Sequence, residues 1–475
     1  VEHIGQALLA EKELVKLGIF SKVFQQGIVL KSYLVDEYNL TVQRLGTIIT
    51  ELNHDLAMVG STVIVESDGH VIMPSDVLND HHYVTILNEL ERLYYLHSNR
   101  YLLLCHLLEE RVSTSIELSK KLNLSHSYTY KISEDVNRFF EDTHLSIQIK
   151  RNKGQWSIEG NEYELRIIDF LLHQFSYNLM IDEVDSRLPT QHQRSDKLNP
   201  CSIQKYQVFT NICQTAQTRN CELVHVSDEA KFFFDILTVY FPEMKTTETP
   251  MPEQVFYWVM IIFFIPELMS AEDKTAIGRL LWESPKKFKL LAIIDQVTTI
   301  AIKHQFVAES DMFDFCYELF SHYIVYHDFS YWKFLMTPAD YSYCSPAQYA
   351  LYEDIQMNVS TRLSKPLETI LMKRSVELSL GYRQIQPSNV LKVYIMFYYR
   401  VLDRGIIKNL IVSTYNTDVV MVCDTLAEAD VVVTDVVLKQ INDDNYFYFS
   451  NIKDSCNWVR LNTFLQQRIM SRRFI

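Results

Sequence analysis

Glycine is scarce in this chain, with 11 residues among 475, about a third of the usual ~7%. Such scarcity argues against a fold built around glycine-rich phosphate loops. Cations are outnumbered: 45 Lys and Arg stand against 59 Asp and Glu, a net charge of −14. A chain that is basic overall is therefore excluded, although a local basic surface is not. No CxxC pair relates the eight scattered cysteines, and no HExxH or Cys/His cluster occurs, so reduced thiols and no metal are expected. No apolar run approaches the ~20 residues of a membrane span. The longest, Val255 to Ile265, stops at Pro266 and reads as a buried helix. Val1 to Lys16 mixes charged and apolar residues at helical spacing, unlike a secretory leader. A soluble, cytoplasmic protein without a membrane partner is the expectation. G-x-S-x-G, P-loop and paired-carboxylate signatures are absent. Neither a catalytic residue nor a cofactor is expected, and the chain does not read as an enzyme.

What is present is ample apolar material, 48% hydrophobic and 12% aromatic, enough for several domain cores. The first third repeats itself. Tyr33 to Val65 lies over Glu117 to Ile149 at constant offset without a gap, pairing Leu34 with Leu118, Leu40 with Leu124, Ile48 with Ile132, Leu52 with Val136 and Val65 with Ile149. The turns Asn39-Leu40 and Asn123-Leu124 coincide, as do Asn53 and Asn137. Each copy reads as a short helix, a tight turn, a capped second helix and a hairpin, the pattern of a winged helix-turn-helix. In the second copy Leu118 and Leu122 mark the buried face of the first helix, and Ser125 is a suitable N-cap. Ile132, Val136 and Phe139/Phe140 recur at helical spacing. After Thr143 the period changes to two through Leu145, Ile147 and Ile149, then Trp156 and Ile158.

A helix fits the major groove of duplex DNA, where its exposed N-terminal side chains meet base edges and nearby cations neutralise phosphates. In the second copy the candidate contacts are Ser125, Ser127, Tyr128, Tyr130 and Lys131, with Lys150, Arg151 and Lys153 from the hairpin. In the first copy they are Thr41, Gln43, Arg44 and Thr47. Its hairpin, Glu66-Ser67-Asp68-Gly69-His70, is acidic, which weakens its claim on phosphate. Either unit could instead serve protein contacts.

From Gly160 the pattern is helical for over two hundred residues. A polar loop is read from Asp182 to Pro200. Helices are expected over Gln204–Thr218, Asp228–Val239 with Ser227 as cap, Pro252–Met269 and Glu272–Glu283. A second block, from near Pro285, holds Phe288–Gln305, Asp311–Phe329, Pro346–Leu363 and Leu367–Leu380. His304, His322 and His327 fall there, and spacing alone makes each a partly buried histidine satisfied by neighbours. After Pro387, strands at Val390–Phe397, Val419–Val422, Ala429–Asp435 and Tyr446–Ser450 alternate with helices at Leu402–Ile411 and Asn457–Met470. That reads as a small parallel α/β domain. The turn after its first strand, Tyr398-Tyr399-Arg400, offers neither a glycine cradle nor a nucleophile.

Two winged helices, two helical blocks and an α/β unit, in that order, resemble the Mga/AtxA family of Gram-positive global regulators. The most specific segments are Ile158-Glu159-Gly160-Asn161-Glu162 with Arg166, and Ala429 to Asp435. The resemblance implies a mainly α, multidomain fold: winged helix-turn-helix domains over 1–78 and 79–162, all-helical phosphotransferase-regulation domains (PRDs) over 163–284 and 285–386, and an enzyme-IIB-like α/β domain over 387–475. It implies a DNA-binding transcriptional regulator of virulence type, a homodimer, tuned by a sugar-transport phosphocarrier acting on PRD histidines. PRDs commonly show Leu-x-x-His followed by an apolar or aromatic residue. Leu319-Phe320-Ser321-His322-Tyr323 matches, making His322 the phosphorylation candidate; His173 and His225 do not match. IIB modules carry a phosphorylated Cys after their first strand, where this chain has Tyr398 and Tyr399, so an assembly role is implied there instead. The competing expectation is a PRD protein acting on other proteins, with its winged units degenerate.

Overall fold

The computed structural model describes residues 2–60, 64–73, 80–176, 198–247, 249–284, 288–335, 346–359, 364–382, 391–417, 419–437 and 445–473. The expected segment starts at Pro285, Pro387 and Val390, the end at Leu363, and most of the loop before Pro200 lie outside these residues. The chain is mainly helical, with small antiparallel sheets toward the N-terminus and a parallel sheet toward the C-terminus. It divides into two compact units.

The first unit comprises the described parts of 1–161, 168–182 and 436–448. Its elements run α1 (Glu2–Leu8), α2 (Glu11–Gln26), β1 (Ile28–Leu30), α3 (Lys31–Glu37), α4 (Val42–Met58), β2 (Val65–Ser67), β3 (His70–Ile72), α5 (Asp80–His97), α6 (Asn99–Glu110), β4 (Val112–Thr114), α7 (Ser115–Leu122), α8 (His126–Asp142), β5 (Ile147–Asn152) and β6 (Gln155–Gly160). Two antiparallel sheets, ordered β1-β3-β2 and β4-β6-β5, close the two copies of the repeat. Helix starts follow capping chemistry: Thr41 accepts from the Arg44 amide, Ser98 from Tyr101, Thr114 from Glu117 and Ser125 from Tyr128. Each cap satisfies an amide that the helix itself cannot.

The second unit takes the described parts of 162–167, 183–435 and 449–475. The helix α9 (Glu162–Ser176) contributes its first turn and a half to it. Then follow α10 (Pro200–Thr218), α11 (Asp228–Tyr240), α12 (Met251–Phe264), α13 (Ala271–Glu283), α14 (Lys289–Lys303), α15 (Met312–His327), α16 (Pro346–Asn358) and α17 (Lys365–Ser379). At its centre lies α15, packed by α12, α13, α14 and α17 and burying Phe315, Tyr317, Phe320, Tyr323 and Tyr326. Two proline positions depart from the sequence reading. Pro200 is not the end of a loop but the first residue of α10, capped by Asn199. Proline suits that position because its missing N–H is not needed there. The expected helix Pro252–Met269 also breaks, since Ile265 leaves helical geometry ahead of Pro266 and a 3-10 turn follows. Phe241 does the same before Pro242, as the steric demand of a following proline requires.

A buried ion pair anchors the opening of α9. Arg166 and Glu253 are both fully buried, with nitrogen–oxygen distances of 2.6 and 2.8 Å. Arg166 also bonds Glu162 and the carbonyl of Cys221, and Glu253 accepts from the Leu223 amide. Burial opposes charge on Glu253, but the Arg166 bonds win and hold its carboxyl below the usual range. The exit sequence seen in the chain thus has a physical purpose.

The unit closes with β7 (Leu391–Met396), α18 (Asp403–Thr414), β8 (Val420–Cys423), β9 (Val431–Thr434) and, beyond β10 (Tyr446–Tyr448), α19 (Ser455–Arg473). β7 pairs in parallel with β8 on one side and β9 on the other. No helix among the described residues is long and apolar enough to cross a membrane. No disulfide joins the described cysteines, and no described cluster could hold a metal.

Candidate nucleic-acid interface

The two copies share the bonds that shape the turn between their helices and the tip of the hairpin. Asn39 and Asn123 both take left-handed backbone (φ 50° and 54°) at the turn between the helices. The next amide, Leu40 or Leu124, reaches back to Val35 or Ser119. Lys31 and Ser115 donate their amides to the hairpin glycines, Gly69 and Gly154, each at 2.9 Å. Both hairpins turn with positive φ at two successive residues, Asp68-Gly69 and Lys153-Gly154, which matches the twist of the flanking strands. The repeat also extends further upstream than the sequence pattern indicates. Helix α2 ends at Gly27 and α6 at Arg111, both at positive φ, and each leads into a strand that joins the hairpin.

One register needs correction. Asn53 clamps both backbone groups of Ile64, eleven residues on, whereas Asn137 clamps those of Ile149, twelve residues on. The equivalent of Ile149 is therefore the buried Ile64, not Val65, which is 45% exposed. The first copy is one residue shorter between Gly60 and Ile64. The shift aligns Val65, Glu66 and Asp68 with Lys150, Arg151 and Lys153.

Every residue singled out from the sequence is solvent-exposed in this frame. Thr41, Gln43, Arg44 and Thr47 lie along the first turns of α4, and Ser125, Ser127, Tyr128, Tyr130 and Lys131 along those of α8. Leu45, Ile48 and Leu52 point the other way into the core, as do Ile132, Val136 and Phe140. His126, the first residue of α8, shares the exposed face and touches Ser119; its position next to the cap was the signal that could have found it. The hairpin cations differ in freedom. Lys150 is engaged by Glu159 at 2.7 Å, and Arg151 lies 5.6 Å from the Trp156 ring centre. Lys153, at the turn, has no ion-pair partner among the described residues. In the first copy Lys31 is taken up by Glu66. Its outer sheet face is apolar, with Ile28, Leu30 and Val65 exposed.

His322 lies far along the chain, in α15, and is nearly buried, its ring edge-on to Phe263 and Tyr326. Its Nδ1 is 2.7 Å from the Glu318 carbonyl. A carbonyl only accepts, so Nδ1 carries the proton and Nε2 keeps its lone pair. Burial lowers the imidazole pKa against the pull of Glu318, keeping the ring neutral. His322 borders a cavity of about 1110 Å³ with Lys274, Tyr317 and Arg404. Three further histidines have carboxylate partners: His304 bonds Asp354 at 2.8 Å, His327 bonds Asp328 at 2.5 Å and His173 is 3.3 Å from Asp169.

No curated protein matches the chain. Residues 85–173, which take in α6 through β6 whole, match the family described as the Mga helix-turn-helix domain. The second copy of the repeat, with its helices and hairpin, is thus an Mga-type helix-turn-helix domain.

Proposed function

We propose that this protein is a DNA-binding transcriptional regulator that reads duplex DNA chiefly through its second copy, a winged helix-turn-helix. The observation that carries this reading is the coincidence of the matched family domain with an exposed α8 N-terminus and a basic hairpin. Ser125, Ser127, Tyr128, Tyr130 and Lys131 face the bases and adjoining phosphates, while Lys150, Arg151 and Lys153 meet the backbone. Thr41, Gln43, Arg44 and Thr47 give the first copy a subsidiary contact through its helix alone. The runner-up, that a winged unit serves protein contacts, has a specific observation in its favour for the first copy: an acidic hairpin beside an apolar sheet face.

The domain plan that goes with this reading is winged helices over 1–78 and 79–162, PRDs over 163–284 and 285–386, and an enzyme-IIB-like domain over 387–475. The protein works as a homodimer. A phosphocarrier of the sugar phosphotransferase system phosphorylates His322 at Nε2, the nitrogen left free by the Glu318 carbonyl. Phosphate there adds up to about two negative charges among packed aromatic rings, enough to reset a packing arrangement. Binding to random-sequence duplex DNA across a salt series tests the DNA contact, comparing wild type with Lys131, Lys150, Arg151 and Lys153 all changed to Ala. Four lost phosphate contacts flatten the slope of log affinity against log salt by about 3 to 4. An unchanged slope removes the second copy from the interface. For the regulatory half, His322→Ala abolishes phosphocarrier-dependent labelling and His322→Asp shifts the dimer population in sedimentation. Identical behaviour of wild type and both variants refutes it.

A further inference from the structure

The C-terminal sheet reverses its winding at β7. The chain passes from β7 to β8 on one side and later lays β9 on the other. Open parallel sheets take ligands in the crevice beyond the strand carboxyl ends at such a reversal. Here that crevice is occupied from within. Asp435, directly after β9, accepts the backbone N–H groups of Tyr398, Tyr399 and Arg400 at 2.6, 3.0 and 3.1 Å. Three successive amides aimed at one carboxylate form a nest, the backbone arrangement that holds phosphate groups. The guanidinium of Arg400 lies 3.8 Å from the same carboxylate and is steered there by bonds to the carbonyls of Phe449 and Ser450.

A second observation points to an anion independently of the loop. Lys205 of α10 is only 5% exposed, and its ammonium lies 4.4 Å from the Tyr398 ring centre. No hydrogen-bond or ion-pair partner meets it among the described residues. It borders a small cavity of about 20 Å³ with Asn199, Cys201, Glu267, Tyr398 and Arg404. The charges facing this group are Glu267, which is 3.7 Å from Arg404, and Asp435 itself. A buried ammonium lacking an acceptor is costly, and the nearest amide nest is already full.

We propose that the Tyr398–Arg400 loop is an oxyanion site of the phosphate class whose occupant is the Asp435 side chain, with Arg400 and Lys205 supplying the positive field. The carboxylate presents two oxygens where a tetrahedral oxyanion would present its own. While it is in place the site admits no free phosphate, and the domain is a closed scaffold. Removing it leaves three buried amides and two cations without an anion, and a vacancy that joins the adjoining cavity.

Isothermal titration of the full chain with inorganic phosphate at low ionic strength tests this, using Asp435→Gly and, as a variant that keeps a Cβ and a polar group in the crevice, Asp435→Ser. Both variants gain saturable phosphate binding at least tenfold tighter than wild type. Their melting temperatures rise with phosphate and not with chloride at equal ionic strength, and adding Arg400→Gln removes the gain. The proposal is overturned if the variants bind phosphate no better than wild type. It is equally overturned if wild type binds as tightly, or if phosphate restores neither variant when both are unfolded.

Discussion

The two copies of the repeat share a frame and differ in what they display on it. Both use a left-handed Asn between helices, a hydroxyl cap on the second helix, an Asn clamp onto the following strand and a two-residue hairpin turn with a glycine. On that frame the second copy displays Lys150, Arg151 and Lys153, and the first displays Val65, Glu66 and Asp68. The frame is thus set by interior and backbone bonds, while the charge at the hairpin is set by exposed side chains that contribute little to folding.

Reversing charge in the second hairpin gives the largest effect that can break this comparison. Lys150→Glu, Arg151→Glu and Lys153→Glu together weaken binding to duplex DNA by roughly 100-fold or more at moderate salt. Glu66→Ala with Asp68→Ala changes it by about threefold or less, as fluorescence anisotropy would show. Equal sensitivity of both hairpins would end the distinction drawn between them. Next come the clamps. Asn137→Ala and Asn53→Ala each remove a pair of bonds to backbone groups and cost about 2–3 kcal/mol in denaturant unfolding. A much smaller loss in one copy would show that its hairpin is held by something else.

The caps follow. Ser125→Ala and Thr41→Ala should each destabilise by about 1 kcal/mol, with a matching shift in urea midpoint. The mildest change is Glu159→Gln. It releases Lys150 from its 2.7 Å partner and raises DNA affinity about two- to fivefold at low salt, fading as salt screens the gain. Affinity that falls instead would mean that Glu159 orients Lys150 for its contact.

Much of this frame is legible in the sequence because it is written in periodicity. Ile132, Val136 and Phe140 lie one helical face apart, and Ser125 stands where a cap is needed. The register of the first hairpin is not legible. Val63, Ile64 and Val65 are three β-branched apolar residues in a row, so alternation cannot say which one faces inward. Only the Asn53 clamp decides it. Arg111 in left-handed backbone carries no local signal, whereas its counterpart Gly27 does. Pro200 was legible in principle, since Asn-Pro opens a helix as readily as it closes a loop. The nest around Asp435 joins residues more than thirty positions apart, and no spacing rule connects a carboxylate after one strand to amides after another. The pattern of helices reveals α15, but not that its His322 presents Nε2, because that follows from a backbone carbonyl one turn earlier.

The packing of α13 on α15 carries a consequence of another kind. A Cβ built on Gly278 would sit 1.8 Å from the carbonyl oxygen of Phe313, so at this crossing the two helices touch backbone to backbone. No side chain larger than hydrogen fits without driving them apart. Among so few glycines, this one makes the spacing of a helix pair nearly invariant under mutation. Any enlargement at that position forces the backbones of α13 and α15 apart, and with them the helix that carries His322.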